Sequence, residues 1–137
     1  MGLYANFLIS GSAISAQSLR LNTIASNMAN AETVASSEEE AYRARETVFQ
    51  SVLLDAGRPG EVGVRMLGVV ESQAPVRSRY EPGHPLADER GYVFTSNVDT
   101  VEEMVNMLSS SRAYQNNVEV LNTSKELLTR TLALGNN

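Results

Sequence analysis

Side chains able to perform acid–base or nucleophilic chemistry are scarce in this chain. There is one histidine, His84, and no cysteine. A Ser-His-Asp arrangement with Asp88 and one of the serines satisfies the count of residue types. However, His84 lies between Gly83 and Pro85 in a turn-rich run, and the sequence has no nucleophile-elbow motif. The pattern favours a solvated loop histidine, and we expect no catalytic residues and no enzyme.

Two further patterns bear on cation and phosphate binding. Glu38, Glu39 and Glu40 are consecutive, so their carboxylates point in different directions and lack the alternating oxygen ligands of a calcium loop. The run Gly57-Arg58-Pro59-Gly60 has no following Lys-Ser/Thr, so it predicts a turn and not a phosphate-binding loop. With no cysteine and one histidine, a structural zinc site is excluded. We therefore expect no metal and no cofactor.

Charge and hydropathy exclude two classes of partner. The net charge is −5 and no basic stripe is present to neutralise phosphates, so nucleic acid is not expected. No apolar run approaches the ~20 residues that cross a bilayer, so membrane insertion is not expected. The N-terminus lacks a basic region followed by an unbroken apolar core, which argues against a cleavable secretory signal. The absence of cysteine is compatible with an oxidising compartment.

The first 31 residues form the first predicted element of the fold, and their only charged residue is Arg20. The apolar residues that recur every seven positions are Phe7, Ile14, Leu21 and Met28. This spacing predicts one amphipathic helix from about Leu3 to Ala29, about 40 Å long. A free-standing surface helix carries Glu, Lys or Arg on its solvent face. A helix without them is expected to contact protein on several sides.

A second helix is predicted near the C-terminus. Asp99 with Glu102 fits a capping box at its start, and Thr100 with Glu103 is a second possible register. Gly135 marks its end. Its apolar residues follow the 3-4 spacing of a coiled-coil seam. They are Met104, Met107, Tyr114, Val118, Leu121, Leu128 and Leu132, with Ser111 and Lys125 in the remaining seam positions. Near the start of this helix, Val101, Val105 and Leu108 form a second apolar strip.

The middle of the chain is different, because β-branched and aromatic residues predict strands there. The strand candidates are Thr47 to Leu54, Val62 to Val70 and Gly91 to Thr95. The predicted fold is mainly α with a small β-rich insert, and its long N- and C-terminal helices pair as an antiparallel coiled coil. The chain divides into an N-terminal helical segment at 1–31, a β-rich and loop insert at 32–96, and a C-terminal helical segment at 97–137.

Such a helix pair is marginal by itself. Seven seam residues contribute about 10–20 kcal/mol if fully buried. Ordering roughly 60 terminal residues costs on the order of 1 kcal/mol each in backbone entropy. We hypothesise that the terminal segments are loose in the monomer and become ordered on assembly.

Three runs carry a resemblance to a known family. Residues 25–31 read ASNMANA, residues 111–115 read SRAYQ, and residues 117–123 read NVEVLNT. The first resembles the N-terminal signature of bacterial flagellar rod and hook proteins. The other two closely resemble the FlgC family of proximal rod subunits of the flagellar basal body. In many axial proteins the first signature is followed at once by Thr-Pro-Gly-Tyr, whereas here the aromatic residue is Tyr42, which favours the proximal-rod group.

The resemblance implies a structural subunit of the flagellar drive shaft that polymerises helically in the periplasm and transmits torque. It implies export through the flagellum-specific type III apparatus without a cleavable signal. The implied partners are other copies of the chain, other rod proteins, and components of the MS ring and export gate.

The resemblance and the seam together predict an assembly interface formed by both terminal helices. On the first helix the predicted residues are Phe7, Ile14, Arg20, Leu21, Asn27, Met28 and Asn30. On the second they are Met104, Met107, Arg112, Tyr114, Val118, Leu121 and Leu128. Asn27 and Asn30 would satisfy backbone groups where the helix ends or meets its neighbour, and Arg112 would pair with a carboxylate or carbonyl of an adjacent subunit.

Other interpretations predict different behaviour. Within the same class, the chain is a neighbouring axial rod subunit. A soluble helical secretion chaperone predicts a stable dimer with ordered ends. A small hydrolase centred on His84 predicts a defined pocket and loss of activity in His84→Ala.

Overall fold

Two long helices flank a small antiparallel β region in the computed structural model, which describes residues 2–54 and 60–135. In chain order the elements are α1 (Leu3–Asn30), β1 (Val34–Ala35), β2 (Arg45–Leu53), β3 (Val62–Glu71), β4 (Arg77–Tyr80), β5 (Tyr92–Thr95) and α2 (Thr100–Gly135). The predicted order of helix, β-rich insert and helix is therefore found. The predicted turn at Gly57–Gly60 lies outside the described residues except for Gly60, which has a φ of +121°.

The strands form two separate antiparallel sheets. β2 and β3 make a hairpin in which Arg45 pairs with Glu71 and Leu53 with Val62. β5 lies between β1 and β4 in a three-stranded sheet. The sequence analysis did not predict β1 or β4. Both are short, and both depend on pairing with β5 and not on their own residue pattern.

The start of α2 is capped as the sequence predicts. The Asp99 Oδ1 accepts hydrogen bonds from the backbone N–H groups of Val101 at 2.9 Å and Glu102 at 3.2 Å. These are two of the N–H groups that a helix leaves without an internal partner. The cap fixes where α2 begins relative to β5.

α1 lies at the centre of the molecule and packs on two sides. One side contacts α2, and another contacts β3 and β2. α2 runs in the opposite direction to α1, because Glu103 in its first turn binds Asn27 near the end of α1 while Thr123 and Leu127 lie beside Asn6. Among the described elements α2 packs only against α1. This two-sided packing accounts for much of the missing charge on α1.

The buried centre of this packing differs from the predicted seam. On α1, Phe7, Ile14, Leu21 and Met28 are half-buried, and the residues that are fully buried are Ala5, Ser10, Ala16, Ile24 and Asn27. On α2 the fully buried residues are Ser110 and Ser124, whereas Met104 is 58% exposed and Lys125, Leu128 and Leu132 are also exposed.

The predicted α2 seam is thus in place at four half-buried apolar residues, Val118 among them, whereas its Ser111 and Lys125 positions are displaced by one residue. Met107, Tyr114 and Leu121 are half-buried beside α1, but Ser110 and Ser124 take the central positions predicted for Ser111 and Lys125. Small side chains let two helices approach closely, so the small residues are covered completely and the large ones flank them. A periodic pattern of large apolar residues therefore does not predict a helix contact whose centre consists of serines.

Candidate assembly interface

Asn27 joins three parts of the chain through four hydrogen bonds. Its side chain is 1% exposed in the last turns of α1. The Nδ2 donates to the backbone O of Arg45 at 2.8 Å and to the Glu103 carboxylate at 3.2 Å. The Oδ1 accepts from the backbone N of Arg45 at 2.9 Å and from the Tyr42 hydroxyl at 3.0 Å. Asn27 thereby connects α1 to the start of β2 and to the first turn of α2.

An asparagine suits this position because its side chain is a planar amide. It binds the N–H and C=O of Arg45 together, as a neighbouring strand would. The Arg45 guanidinium lies 5.5 Å from the centre of the Tyr42 ring and 3.9 Å from the Glu71 carboxylate. By contrast, Asn30 donates only to the backbone O of Ser26 in its own helix, at 2.8 Å. The two asparagines of the same motif therefore have different structural roles.

Asn97 is a second junction residue, and the sequence analysis did not single it out. Its Oδ1 accepts from the backbone N of Ala44 at 2.7 Å, and its Nδ2 donates to the backbone O of Ala74 at 2.9 Å. Arg43 donates to the same carbonyl at 3.1 Å. Its position two residues before the helix cap Asp99 is the signal that marks it. Together Asn27 and Asn97 hold the segments before β2, after β3 and before α2; we call this set the polar junction.

The hairpin lies against α1 through a close approach at Ser12. The Ser12 Oγ accepts from the backbone N of Val64 at 3.1 Å and donates to the backbone O of Ile9 at 2.7 Å. A Cβ on Gly63 would lie 2.9 Å from that Oγ and from a methyl of Leu54. Glycine at this position lets β3 lie against Ser12 and Leu54 without displacing either side chain.

Arg20 points into a polar cavity between α1, β2 and α2. The cavity has a volume of about 380 Å³, and Glu46, Glu102 and Asn106 line it as well. Within residues 2–54 and 60–135, no side chain makes an ion pair or hydrogen bond with Arg20. The lone charge of the first segment therefore has two carboxylates nearby and no direct partner among the described residues.

The side of α2 that faces away from α1 changes character along its length. Its first two turns present Val101, Met104, Val105 and Leu108, which are between 56% and 69% exposed; we call these four residues the outer strip. Further along, the same side carries Arg112, Gln115, Glu119, Glu126 and Arg130. Arg112 is exposed, and no described side chain pairs with it. The outer strip is an apolar surface that this chain leaves uncovered.

α2 is also longer than its partner. Every residue from Lys125 to Gly135 is exposed, including Leu128, Leu132 and Leu134. α1 begins at Leu3, and Leu127 still lies beside Asn6, so α2 continues beyond α1 for about eight residues, or roughly 12 Å at ~1.5 Å per residue. We call residues 125–135 the overhang.

The residues considered for chemistry lie in a surface loop. The His84 Nδ1 accepts from the backbone N of Leu86 at 3.1 Å, and the Asp88 Oδ1 accepts from the backbone N–H groups of Arg90 and Tyr92. Both side chains therefore stabilise loop backbone. Within the described ranges there is no group of acidic, histidine or cysteine residues suited to a metal ion. None of the described helices is long and apolar enough to cross a membrane.

Comparison with known proteins matches both helices and the full chain. A family model described as "Flagella basal body rod protein" matches residues 7–34, and one described as "Flagellar basal body rod FlgEFG protein C-terminal" matches residues 89–134. The chain is 53% identical to the flagellar basal-body rod protein FlgC of Salmonella typhimurium over 137 residues, covering 98% of this chain and 99% of that protein.

The likeness extends to distant bacteria. Identity to FlgC of Escherichia coli O157:H7 is 53% over 135 residues, covering 98% of this chain and 99% of that protein. FlgC of Borreliella burgdorferi is 32% identical over 149 residues, covering 98% of each chain. The chain belongs to the FlgC family of flagellar basal-body rod proteins.

Each of the two segments matched by the rod-family models contains one of the two asparagines of the polar junction. Residues 7–34 contain Asn27 and most of α1, and residues 89–134 contain Asn97, Glu103 and nearly all of α2. The β2–β3 hairpin lies between the two matched segments. The surfaces left uncovered, namely the outer strip and the overhang, lie within or next to the second one.

Proposed function

We propose that this chain is a structural subunit of the flagellar proximal rod. It polymerises helically through its terminal helices, forms part of the drive shaft and transmits torque without catalysing a reaction. The observation that carries the proposal is the full-length 53% identity to basal-body rod proteins named FlgC. Family membership gives the role, and the geometry of the chain supports it.

The distribution of apolar residues supports assembly. The fully buried set is small: the apolar residues in it are Ala5, Ala16, Ile24, Ala31, Ala41, Val93 and Val98. Eight of the larger apolar side chains of α2 are exposed, four in the outer strip and four in the overhang. A soluble monomer keeps such patches small. Large apolar residues on the surface of both ends of a long helix are expected of a subunit whose neighbours cover them.

The finer arrangement is part of this proposal. The helices of segments 1–31 and 97–137 pair as an antiparallel coiled coil, and the insert at 32–96 connects them. Met107, Tyr114 and Leu121 flank its small-residue centre. Asn27 and Asn30 hold α1 within one chain. The remaining interface is formed by Phe7, Ile14, Arg20, Leu21, Met28, Met104, Arg112, Val118 and Leu128.

Partners and location follow from the same role. The chain contacts further copies of itself, other rod proteins, and components of the MS ring and export gate. It reaches the periplasmic rod of the basal body through the flagellar type III apparatus and without cleavage of a signal peptide. Arg20 and Arg112, which have no partner among the described residues, are the side chains through which we expect polar contacts with neighbours.

The direct test removes the gene from its own host. We expect cells that no longer swim and that lack rods, with both defects restored by the wild-type gene. Purified basal bodies from wild-type cells should contain the chain when analysed by mass spectrometry. Normal swimming in the deletion strain, or basal bodies without the chain, would contradict the proposal. A stable dilute dimer with no link to motility would instead favour a secretion chaperone.

The helix pair has its own test. Leu21→Asp and Leu121→Asp each place a carboxylate beside the facing helix, and we expect both to abolish rod assembly. Gln115→Asp, on the polar outward side of α2, is the matched control and should assemble. Normal rods in either leucine variant would refute the pairing.

A further inference from the structure

The outer strip lies on the side of α2 opposite to α1. At about 100° per residue, Val101, Met104, Val105 and Leu108 cluster on one side of the helix. The residues that meet α1, such as Met107, Ser110 and Tyr114, cluster on the other. No other described element packs against α2. The outer strip is therefore an apolar surface that residues 2–54 and 60–135 of one chain leave uncovered.

The outward side of α1 is a complementary surface on the same chain. Its exposed residues are Tyr4, Leu8, Ser15, Ser18, Asn22, Ala25 and Ala29. They recur every three or four residues, so they form one exposed side of α1 that faces away from α2, with Ser15 and Asn22 at the margin next to the hairpin. None is charged. A Cβ placed on Gly11, which belongs to the same side, would meet no atom within 4 Å.

Charge decides which surface suits the outer strip. Burying an unpaired charge against apolar side chains is strongly unfavourable. The continuation of the outward side of α2 carries Arg112, Glu119, Glu126 and Arg130. The outward side of α1 has no such group over its whole length and offers a helical surface with Leu8 and small residues, into which Val, Met and Leu side chains fit.

The apolar area of the outer strip indicates whether a contact through it would be stable between two isolated copies. Four side chains of this size, each more than half exposed, offer on the order of 250–400 Å² of apolar area. A stable interface between two proteins buries roughly 800 Å² per partner. One such contact is too small to hold a dimer in dilute solution, and it suits a polymer in which each copy makes several contacts at once.

We propose that the outer strip of one copy packs against the uncharged outward side of α1 in a second copy. The contact joins two different surfaces, so it is a head-to-tail contact, which propagates along an open helical assembly unless its rotation closes a ring. This inference rests on the proposed function and adds the pair of surfaces that meet.

Disulfide trapping tests the contact, because the chain contains no native cysteine. Val105→Cys is combined in turn with Leu8→Cys, Ser18→Cys and Ala25→Cys, which sample the length of α1. Basal bodies purified from each strain are oxidised and analysed by non-reducing electrophoresis. We expect dimers and higher oligomers in at least one combination, since a disulfide requires Cα atoms within about 7 Å. Combinations in which Glu119→Cys replaces Val105→Cys are the matched controls and should give monomers.

The outcomes separate the two proposals. If the chain is present in basal bodies and all three Val105→Cys combinations remain monomeric, the contact is wrong and the rod function stands. If the chain is absent from basal bodies of wild-type cells, the rod function itself fails. Gly11→Glu provides a second measurement that does not depend on trapping. It should abolish swimming while leaving the circular dichroism spectrum of the purified chain unchanged, whereas Gln115→Glu should swim; a swimming Gly11→Glu strain would overturn the contact.

Discussion

The two ends of the helix pair are built in opposite ways. At one end, where α1 finishes and α2 begins, the polar junction buries Asn27 and satisfies all four of its hydrogen bonds within the chain. At the other end, α2 extends past α1, and the overhang exposes its leucines. One end is completed by the chain itself. The other has apolar groups that only a neighbour can cover.

This difference separates the residues that determine the fold of one subunit from the residues that join subunits. Buried amides fix one arrangement of the segments, because an alternative arrangement leaves donors and acceptors unpaired. Exposed apolar side chains contribute free energy only when a second protein covers them. The polar junction therefore defines the shape of one copy, and the overhang with the outer strip provides contacts between copies.

Removing the Asn27 amide should cause the largest loss of stability. Asn27→Ala leaves the N–H and C=O of Arg45 and the Glu103 carboxylate without this partner at a part-buried site. Each such group costs about 1–3 kcal/mol, so we expect the free energy of unfolding to fall by about 3–5 kcal/mol. Urea unfolding followed by circular dichroism measures this. Asn30→Ala is the matched control and should lose about 1 kcal/mol or less, and an equal loss in both variants would contradict the special role of Asn27.

Two methionines three residues apart provide the next comparison. Met107 is half-buried against α1, and Met104 is 58% exposed in the outer strip. Met107→Ala should lower the free energy of unfolding by about 1–3 kcal/mol through lost packing, whereas Met104→Ala should lower it by less than about 0.5 kcal/mol. The same urea titration applies to both. A larger loss in Met104→Ala would restore the seam predicted from the sequence.

The Tyr42 hydroxyl contributes a smaller part of the polar junction. Tyr42→Phe keeps the ring beside Arg45 and removes the hydrogen bond to the Asn27 Oδ1. We expect a loss of about 1 kcal/mol, the net contribution of a typical hydrogen bond. An unchanged midpoint of thermal unfolding would contradict this prediction, because it would show that the hydrogen bond does not contribute to stability.

The overhang should contribute least to the stability of a single copy. A chain ended after Lys125 loses only exposed turns of α2, so we expect the free energy of unfolding to change by less than about 1 kcal/mol. The same chain should fail to enter basal bodies, which immunoblotting of purified basal bodies detects. A stable truncated chain that still assembles would show that the overhang is not an assembly surface.

Local sequence patterns predicted most of the helices and strands, but they did not predict the buried centre of the contact between α1 and α2. The bounds of α1, the cap at Asp99 and the β2 and β3 strands were predicted to within about two residues, because heptads, caps and β-branched runs are local signals. The buried Ser110 and Ser124 were missed because serine carries no periodic apolar signal. β4 was missed because its sequence, Arg-Ser-Arg-Tyr, becomes a strand only through pairing with β5.

A role in binding backbone groups was predicted for Asn27, but the residues that it binds were not. The sequence marked Asn27 as a residue that satisfies backbone groups. Its partners Arg45 and Glu103 lie 18 and 76 residues away, and no local pattern links positions so distant. Asn97 was not predicted to bind backbone groups at all. Which surfaces of α1 and α2 meet a neighbour stays a prediction.

Amide hydrogen exchange, compared between the dilute monomer and assembled rods, tests the central contrast most directly. We expect the amides around Asn27 and Glu103 to be protected in both states, because the chain itself completes the polar junction. Amides of residues 125–135 should exchange rapidly in the monomer and become protected in rods. Strong protection of residues 125–135 in the dilute monomer, or rapid exchange there in assembled rods, would contradict the account.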